Sequence, residues 1–447
     1  MLMGFTILGH FNRVSISVAG KAKFIGPGLL TEDQMGMVYS AFLLIYTLGM
    51  LPGGWVIDRL GPRLALTGMG LGMGFCVVLT GGLGWLGLPV ASLLLPLLLV
   101  RGLAGGLSVP LHPGAARTVS LWMPLTRRST ANGLVTAGAL IGISLSYPGF
   151  GWLMDRLDWP KAFVVSGSAM MLFAILWFTL STDRAADHPR ANAAEKNLTS
   201  SGTRIHETVG MNPASDTNPY APLIVSSAIA WDDATRSQNA SSTTHATFSD
   251  FGRLFRNRGL VLLTISYAAL SYFQYLFFYW IEFYFGKELK LPDEESRQAA
   301  FTVTIAMAVG MAVGGVCTDQ LCRRIGHRWG CRCIAFVAMG LSAAFAWYGV
   351  AAKDPNHVVL LFSLALGSLG LCEGIFWTTA PQLEHRSGGL ACAFLNTIGN
   401  AGGLVAPMLT PWIGINYGWT TAIGVACLVC ALGAVLWLWI DAAPDLP

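Results

Sequence analysis

The chain has 447 residues, of which 53% are hydrophobic and only 12% are charged, and its mean hydropathy is +0.55. This composition excludes a soluble globular protein and indicates a membrane protein with many apolar segments, so the lipid bilayer is its expected environment. The formal net charge of +4 is small for this length, and we expect no nucleic-acid partner.

Twelve stretches are long and apolar enough to cross a bilayer, since a transmembrane helix needs about 20 consecutive apolar residues. The expected fold is an all-α membrane protein with twelve transmembrane helices in two six-helix bundles. In chain order, the predicted spans cover residues 2–20, 34–56, 64–86, 89–110, 131–153, 161–180, 259–285, 298–320, 331–352, 357–380, 389–413 and 418–440.

A polar segment separates the sixth predicted span from the seventh. Between Thr182 and Ser249 the composition shifts to Ser, Thr, Ala, Asn and Asp, which is too polar to bury a core and is typical of a disordered linker. The predicted organisation is an N-terminal bundle at residues 1–180, a largely disordered cytoplasmic loop at 181–256 and a C-terminal bundle at 257–447.

The loops between the spans carry an asymmetric distribution of Lys and Arg. With both termini in the cytoplasm, eighteen of the 28 basic residues lie in inside loops and eight in outside loops. Because cytoplasmic loops are enriched in basic residues, we expect a multi-pass protein of the inner or plasma membrane with both termini cytoplasmic. The first span opens at Met1 without a basic tail, which favours a start site further upstream, and no signal-peptide cleavage pattern follows.

The two remaining basic residues, Arg13 and Arg101, lie deep inside otherwise uncharged spans. An arginine near the bilayer centre costs about 2.5–3.5 kcal/mol on insertion scales, so such a residue usually faces a water-filled cavity and a negative partner. A guanidinium fork matches the geometry of a carboxylate, and two of them in one half predict a site for an organic anion. The alternative is a structural role, with the arginines bound to backbone carbonyls or to Glu373.

A motif recurs in both halves, after the second and the eighth spans. The first copy reads GGWVIDRLGPR and the second reads GGVCTDQLCRRIGHR. This Gly-x-x-x-Asp-Arg-x-Gly-x-Arg pattern resembles the cytoplasmic signature of the major facilitator superfamily. The resemblance implies a conformational role, in which the glycines allow a tight turn and the aspartate latches the two halves in one state. The residues expected to form this gating motif are Gly54, Asp58, Arg59, Gly61, Arg63, Asp319 and Arg323.

Within that superfamily, several segments are similar to the anion:cation symporter family, which includes hexuronate, galactonate and glucarate permeases and the animal sialin-like carriers. The resemblance implies a secondary transporter that moves a small organic anion, such as a sugar acid or hydroxy-carboxylate, by alternating access about a midplane site. The segments are Asn12-Arg13 with the run to Ala19, Tyr46 through Pro52-Gly53-Gly54, Arg101-Gly102 followed by Pro110 and Pro113, and Asn396-x-x-x-Asn400.

Polar side chains on the spans that line the cavity in this fold complete the expected substrate site. Tyrosines also populate interfacial belts, which favours Tyr46 over the Tyr279-Trp280 pair. Two asparagines four residues apart serve equally well as interhelical hydrogen-bonding groups. The predicted substrate-binding residues are Arg13, Arg101, Tyr46, Gln274, Tyr275, Asn396 and Asn400.

Two departures from the family pattern bear on proton coupling. Many bacterial members carry an aspartate before the first arginine and a glutamate seven residues after the second, and here these positions are Asn12 and Ser108. The candidates left to carry a proton are Glu373, the sole acid deep inside a span, and the histidines His10 and His112. For Glu373 the alternative is an ion-pair partner, and for the histidines it is packing.

Other functions are weaker alternatives. A drug:proton antiporter fits less well because two buried arginines would repel cationic drugs, and a non-transporting receptor usually needs a partner domain. No nucleophile–base arrangement or nucleotide loop is apparent, so we expect neither an enzyme nor a cofactor. Among nine cysteines, Cys317, Cys322, Cys331 and Cys333 cluster near one loop, but their spacing matches no zinc pattern, so we expect reduced, packing cysteines and no metal. A monomer is the expected assembly.

Overall fold

The computed structural model describes residues 1–86, 90–123, 125–183, 188, 254–384 and 388–441. Within these ranges the chain is almost entirely helical and contains no β-strand. The loop predicted at residues 181–256 lies almost wholly outside the described residues, so the boundaries of the three predicted domains remain predictions.

Seven α-helices form the described first half. Two of them, α1 and α5, continue into short π-helical segments at Gly20–Ile25 and Ser146–Phe150. The longest, α2, holds both the second and the third predicted spans, because its helical path breaks only at Gly61. The helices are α1 (Leu2–Ala19), α2 (Glu32–Leu83), α3 (Val90–Ser108), α4 (Leu111–Trp122), α5 (Leu125–Leu145), α6 (Gly151–Leu157) and α7 (Trp159–Leu180).

Six α-helices form the described second half, one for each predicted span. Two of them begin at side-chain caps, where Asn257 accepts from the Leu260 N–H and Asp354 accepts from the His357 N–H. The helices are α8 (Arg258–Lys287), α9 (Asp293–Ile325), α10 (His327–Ala351), α11 (Pro355–Leu383), α12 (Gly388–Tyr417) and α13 (Trp419–Leu436).

Nine helical segments in the described residues are long and apolar enough to cross a membrane. The other three predicted spans, the first, second and eleventh, coincide with α1, with residues 32–60 and with α12. Each of the twelve predicted spans therefore coincides with a helix, and the chain is an all-α membrane protein with twelve transmembrane helices.

The two halves repeat the same backbone turns. After the second and eighth spans, Gly61 has φ 78° and ψ 155°, and Gly326 has φ 84° and ψ 154°. Before the last helix of each half, Asp158 has φ 65° and ψ 162°, and Gly418 has φ 92° and ψ 148°. A positive φ with an extended ψ is a conformation that glycine adopts at little steric cost. The repeat read from the sequence is therefore also a repeat of backbone conformation.

The first copy of the repeated motif makes hydrogen bonds and a ring contact to residues of its own half. The backbone N–H of Arg63 donates to the Asp183 carboxylate at 2.9 Å. The Arg63 guanidinium donates to the Phe178 carbonyl at 3.1 Å and lies 4.4 Å from the centre of the Phe178 ring. These contacts attach the turn between the second and third spans to the end of α7.

The other members of the gating motif are placed only in part. Arg59, Asp319 and Arg323 are exposed. The surroundings of Gly54 and the side chain of Asp58 lie outside the described residues, so the role of the motif in latching the two halves remains a prediction.

The end of the bundle that is predicted to face the cell exterior, called the outer end below, carries ion pairs between the halves. Lys21 of the first half binds Asp293 of the second at 2.9 Å. Lys287 of α8 binds Glu32 at the start of α2. Both pairs join helix ends that would have to separate if the outer end opened.

A third contact at the outer end is centred on Arg297 of α9, whose side chain is only 6% exposed. Its guanidinium donates to both oxygens of Asp155 in α6, at 2.5 and 3.2 Å. It also lies 3.8 Å from Glu282 of α8, which is buried. Because Asp155 belongs to the first half and Glu282 to the second, Arg297 fastens the halves together, and the described conformation is closed at the outer end.

We expect Asp155→Asn to open the outer end more often, because Arg297 then keeps a carboxylate only in its own half. An ion pair with one exposed partner contributes up to about 1 kcal/mol, which corresponds to about a fivefold shift in a two-state equilibrium. Hydrogen–deuterium exchange mass spectrometry should therefore show faster amide exchange in residues 20–31 and 288–297.

The matched control is Asp158→Asn, because Asp158 pairs with Lys23 inside the first half, at 3.1 Å. Although partial burial opposes it, hydrogen bonds from the Trp159 N–H and the Lys23 ammonium hold the pKa of Asp158 below its usual range. This pair is therefore intact at neutral pH, yet its loss should leave exchange at the outer end unchanged. Equal acceleration in both variants would contradict the closing role of Asp155.

Candidate functional site

Arg13 lies in α1 among three aromatic rings from two other spans. Its Nη2 donates a hydrogen bond of 2.7 Å to the hydroxyl of Tyr275 in α8. The guanidinium carbon is 5.1 Å from the ring centre of Phe42 and 5.3 Å from those of Tyr46 and Tyr275, which is cation–π distance. Tyr46 and Tyr275 were predicted, whereas Phe42 was missed, although it lies one helical turn before Tyr46 on the same face of α2.

Arg101 of α3 is more deeply buried, with 2% of its surface exposed. Its Nη2 donates to the backbone carbonyl of Arg13 at 2.8 Å, and its guanidinium carbon lies 4.9 Å from the centre of the Phe42 ring. The Nε group has no hydrogen-bond partner. The close approach of α3 to α2 requires Gly105, because a Cβ there would overlap the carbonyl of Phe42.

The two guanidiniums thus lie against the same aromatic ring. In the part of the chain that the structure describes, no carboxylate lies within ion-pair distance of Arg13 or Arg101. Of the structural alternatives, the bond to a backbone carbonyl is present for Arg101, and pairing with Glu373 is present for neither. Cation–π contacts and neutral hydrogen bonds leave the positive charge in place, so the site favours an anion.

A narrow cleft of about 10 Å³, which is room for about one water molecule, adjoins Arg13 in the first half. His10 and His112 meet at its wall, with ring centres 5.2 Å apart. The Nδ1–H of His10 donates to the Thr6 carbonyl at 3.0 Å, which leaves Nε2 as the nitrogen able to accept a hydrogen bond. The lining residues are Gly9, His10, Arg13, Phe42, Tyr46, Met73, Ser108, Leu111 and His112.

The two positions that differ from the family pattern have different surroundings. Ser108 lines the cleft and donates its hydroxyl to the Ala104 carbonyl at 2.6 Å. Asn12 is fully buried, and its amide nitrogen lies 3.0 Å from the Leu8 carbonyl and 3.5 Å from that of Ser166 in α7. The side chain of Asn12 therefore faces the sixth span and not the cleft.

The predicted residues of the second half do not all join the arginine cluster. The Gln274 amide contacts the sulfur of Met307 at 3.5 Å, toward α9. Asn400 donates to the side-chain oxygen of Asn396 at 2.7 Å, and Asn396 contacts the sulfur of Met50 in α2 at 3.2 Å. In this conformation the two asparagines form a contact between the halves, as the interhelical alternative predicts.

Glu373 lies in α11 between helices of the second half. The hydroxyl of Tyr267 donates to its Oε1 at 3.0 Å, whereas its Oε2 is buried without a hydrogen-bond partner. Only 8% of the residue is exposed. Its described surroundings supply a phenol and aromatic rings, and no basic side chain in the described ranges forms an ion pair with it.

An aromatic layer covers the arginine cluster on the side of the outer end. Tyr39 of α2 stacks on Tyr279 of α8 with 4.9 Å between ring centres, and Tyr279 stacks on Tyr275 at 6.2 Å. The hydroxyl of Tyr147 donates across the halves to the Phe278 carbonyl at 2.9 Å. The interfacial interpretation of Tyr279 misses this interior position, although its four-residue spacing from Tyr275 places both rings on one face of α8.

Twelve helices in two repeated halves around a buried cationic cleft define a membrane transporter of the alternating-access class. The chain belongs to the Major Facilitator Superfamily, whose family model matches residues 2–388.

Curated relatives cover nearly the whole chain. It is 25% identical over 414 residues to a probable galactarate/D-glucarate transporter of Bacillus subtilis, which covers 92% of this chain and 84% of that protein. It is 27% identical over 416 residues to a probable sulfoacetate transporter of Cupriavidus necator, with coverage of 92% and 86%. It is 25% identical over 443 residues to a D-galactonate transporter of Escherichia coli O6:H1, with coverage of 98% and 93%.

Two solved structures of a bacterial homologue of the human lysosomal transporter Spinster share the fold. The inward-facing, occupied form matches with a TM-score of 0.68 at 13% identity, over 98% of this chain and 95% of that one. The inward-facing, unoccupied form matches with a TM-score of 0.65 at 14% identity, over 99% and 94%. At these identities the likeness concerns the fold alone.

We expect Arg13→Lys to weaken the binding of organic carboxylates by about 10- to 100-fold although the charge remains, because a hydrogen bond to a charged group contributes about 1.5–3 kcal/mol and the fork is lost. Arg101→Lys should reduce the affinity less, since a lysine still has a donor for the Arg13 carbonyl. Isothermal titration calorimetry on the purified protein with a series of sugar acids measures both. Unchanged affinity in a monodisperse Arg13→Lys protein would rule out direct contact.

Proposed function

We propose that the protein is a secondary transporter that moves a sugar acid, or a similar small organic carboxylate, across the membrane by alternating access. The observation that carries this proposal is the pair of guanidiniums around Phe42, which have no carboxylate partner among the described residues. A buried charge of this kind is costly unless it is neutralised by a partner. The missing partner is the carboxylate of the substrate.

The relatives support the same chemistry. Their names refer to galactarate, D-glucarate, D-galactonate and sulfoacetate, all small anions that carry at least one carboxylate. A drug:proton antiporter would require a site that attracts cations, which is the opposite of the described cleft.

In the proposed mechanism, the two arginines have different tasks. Arg13 borders the cleft and binds the substrate carboxylate. Arg101 holds the backbone at Arg13 through the carbonyl bond and adds positive charge without bordering the cleft itself. The imidazoles of His10 and His112 and the hydroxyl of Tyr46 supply hydrogen bonds to the hydroxyl groups of a sugar acid.

Alternating access follows from the closed outer end. The ion pairs around Arg297 and the aromatic layer over Arg13 separate the cleft from the outer side, so in the proposed cycle this conformation opens next toward the opposite side. With both termini cytoplasmic in the inner or plasma membrane, that side is the cytoplasm, and a monomer contains all the residues required.

Uptake of radiolabelled galactarate into proteoliposomes tests the proposal. We expect saturable uptake that unlabelled glucarate, galactonate or sulfoacetate reduces, because each presents a carboxylate to Arg13. Galactitol is the matched control, since it keeps the hydroxyl groups and lacks the charge. Uptake of none of these acids, or equal inhibition by galactitol, would contradict an anion transporter.

Glu373 is the proposed proton carrier. A buried carboxyl that is hydrogen-bonded to a phenol and not to a cation is able to gain and lose a proton without breaking an ion pair. Asn12 and Ser108 occupy the two positions where the family carries acids, and neither side chain can act as a proton carrier. The imidazoles of His10 and His112 remain the alternative carriers.

We expect Glu373→Gln to abolish accumulation driven by an imposed pH gradient and to preserve exchange of labelled for unlabelled substrate, because the amide cannot titrate. His10→Gln and His112→Gln, which remove contacts to the substrate hydroxyl groups, should weaken binding but keep gradient-driven accumulation at saturating substrate. Accumulation is measured as uptake with and without an inwardly directed proton gradient. Exchange is measured separately by counterflow, with unlabelled substrate inside the vesicles. Wild-type uptake that ignores the gradient would exclude proton coupling, and loss of accumulation in a histidine variant alone would assign it there.

A further inference from the structure

Three side chains with soft or borderline metal-ligating atoms meet where α9 turns into α10. The sulfur atoms of Cys322 and Cys331 lie 3.8 Å apart. The ring of His327 has its Nε2 3.7 Å and its Nδ1 4.0 Å from the Cys331 sulfur, and the backbone carbonyl of His327 lies 3.8 Å from the Cys322 sulfur. One ligand atom from each residue can be chosen so that all three lie within 4.8 Å of one another. The cluster is remote in the sequence from the arginine site.

The fold builds this cluster through two glycines. Gly326 makes the turn between the helices with φ 84°. Gly330 allows the helices to touch, because a Cβ there would lie 2.6 Å from the Cys322 sulfur and 2.8 Å from its Cα. Cys331 follows His327 by four residues and therefore shares its helix face.

We propose that Cys322, His327 and Cys331 bind a zinc ion. A tetrahedral zinc with Zn–S bonds of about 2.3 Å places two sulfur ligands about 3.8 Å apart, which is the separation of the two thiols. With a Zn–N bond of about 2.0–2.1 Å, a nitrogen and a sulfur ligand lie about 3.6 Å apart. To bind the ion through Nδ1, which lies 4.0 Å from the Cys331 sulfur, the His327 ring therefore has to turn and move closer to the thiols.

The partner of His327 supports a ligand role. The Nε2–H of His327 donates to the side-chain oxygen of Gln382 in α11 at 2.9 Å. This bond fixes the tautomer that leaves the Nδ1 lone pair free for a metal, as outer partners of zinc-binding histidines commonly do. Solvent is available for the fourth position.

The chemistry of binding balances without a redox step. The two S–H bonds break, two Zn–S bonds form, the two protons leave to solvent, and the imidazole donates a lone pair. Two thiolates neutralise the charge of one Zn²⁺. The thiols are free in the structure, and their separation is much longer than a disulfide bond of about 2.05 Å.

The second copy of the repeated turn carries these ligands, and the first copy does not. When Gly61 is superposed on Gly326, the positions of His327 and Cys331 correspond to Pro62 and Leu66 in the first half. The sequence pattern missed the site because the histidine lies between the two cysteines, in a spacing outside the usual zinc signatures. A bound ion would tie α9 to α10 and, through Gln382, to α11.

The test uses the full-length protein, purified in detergent through a tag without histidine, stripped with a chelator and kept reduced. Titration with Co²⁺ should give one equivalent with a thiolate charge-transfer band and the visible bands of tetrahedral cobalt, and Zn²⁺ should displace it. We expect Cys331→Ser and His327→Gln to weaken Co²⁺ binding at least tenfold, and Gln382→Ala to weaken it about 10- to 100-fold.

Cys317→Ser and Cys333→Ser are matched controls, because they remove thiols from the same two helices outside the cluster, and they should bind like the wild type. Absence of the thiolate band in the wild type, or equal loss in the control variants, would overturn the site. A wild-type protein that forms a Cys322–Cys331 disulfide under air and binds no Co²⁺ when reduced would also overturn it. Binding is measured without transport, so the result is independent of the proposed function.

Discussion

The burial of two guanidiniums that have no carboxylate partner among the described residues is the constraint on which the rest of the structure depends. Both guanidiniums lie over the Phe42 ring, and one donor of each is met, by the Tyr275 hydroxyl for Arg13 and by the Arg13 carbonyl for Arg101. These groups solvate a cation without cancelling its charge. The positive charge that remains is the basis of the proposed binding of a substrate anion.

The same constraint links the site to the movement of the two halves. The hydrogen-bond partner of the Arg13 side chain, Tyr275, belongs to the opposite half. The stacked rings of Tyr39 and Tyr279 also cross between the halves. When the outer end opens, these contacts have to separate. The Arg13 guanidinium then becomes exposed to a substrate on the outer side. In the proposed mechanism, binding and conformational change therefore involve the same side chains.

Much of the architecture is readable from local sequence. The twelve spans follow from hydropathy over about 20 residues, and every one coincides with a helix. The repeated motif predicts two equivalent turns, and Gly61 and Gly326 adopt nearly the same φ and ψ. The arginines stand out because a charge in an apolar span has no local explanation. Tyr46 and Tyr275 follow from the expected cavity-lining faces of their helices.

The sequence by itself determined the class of protein, the number of helices and the charge of the site, because these depend on composition within one segment. Only the tertiary structure decided that Arg13 borders the cleft while Arg101 supports it, and that Gln274 faces Met307. It also brought the side chains of Cys322, His327 and Cys331 into one cluster. Such outcomes depend on how helices approach and rotate against one another, and that packing is set by contacts between residues that are distant in the chain or separated by a turn.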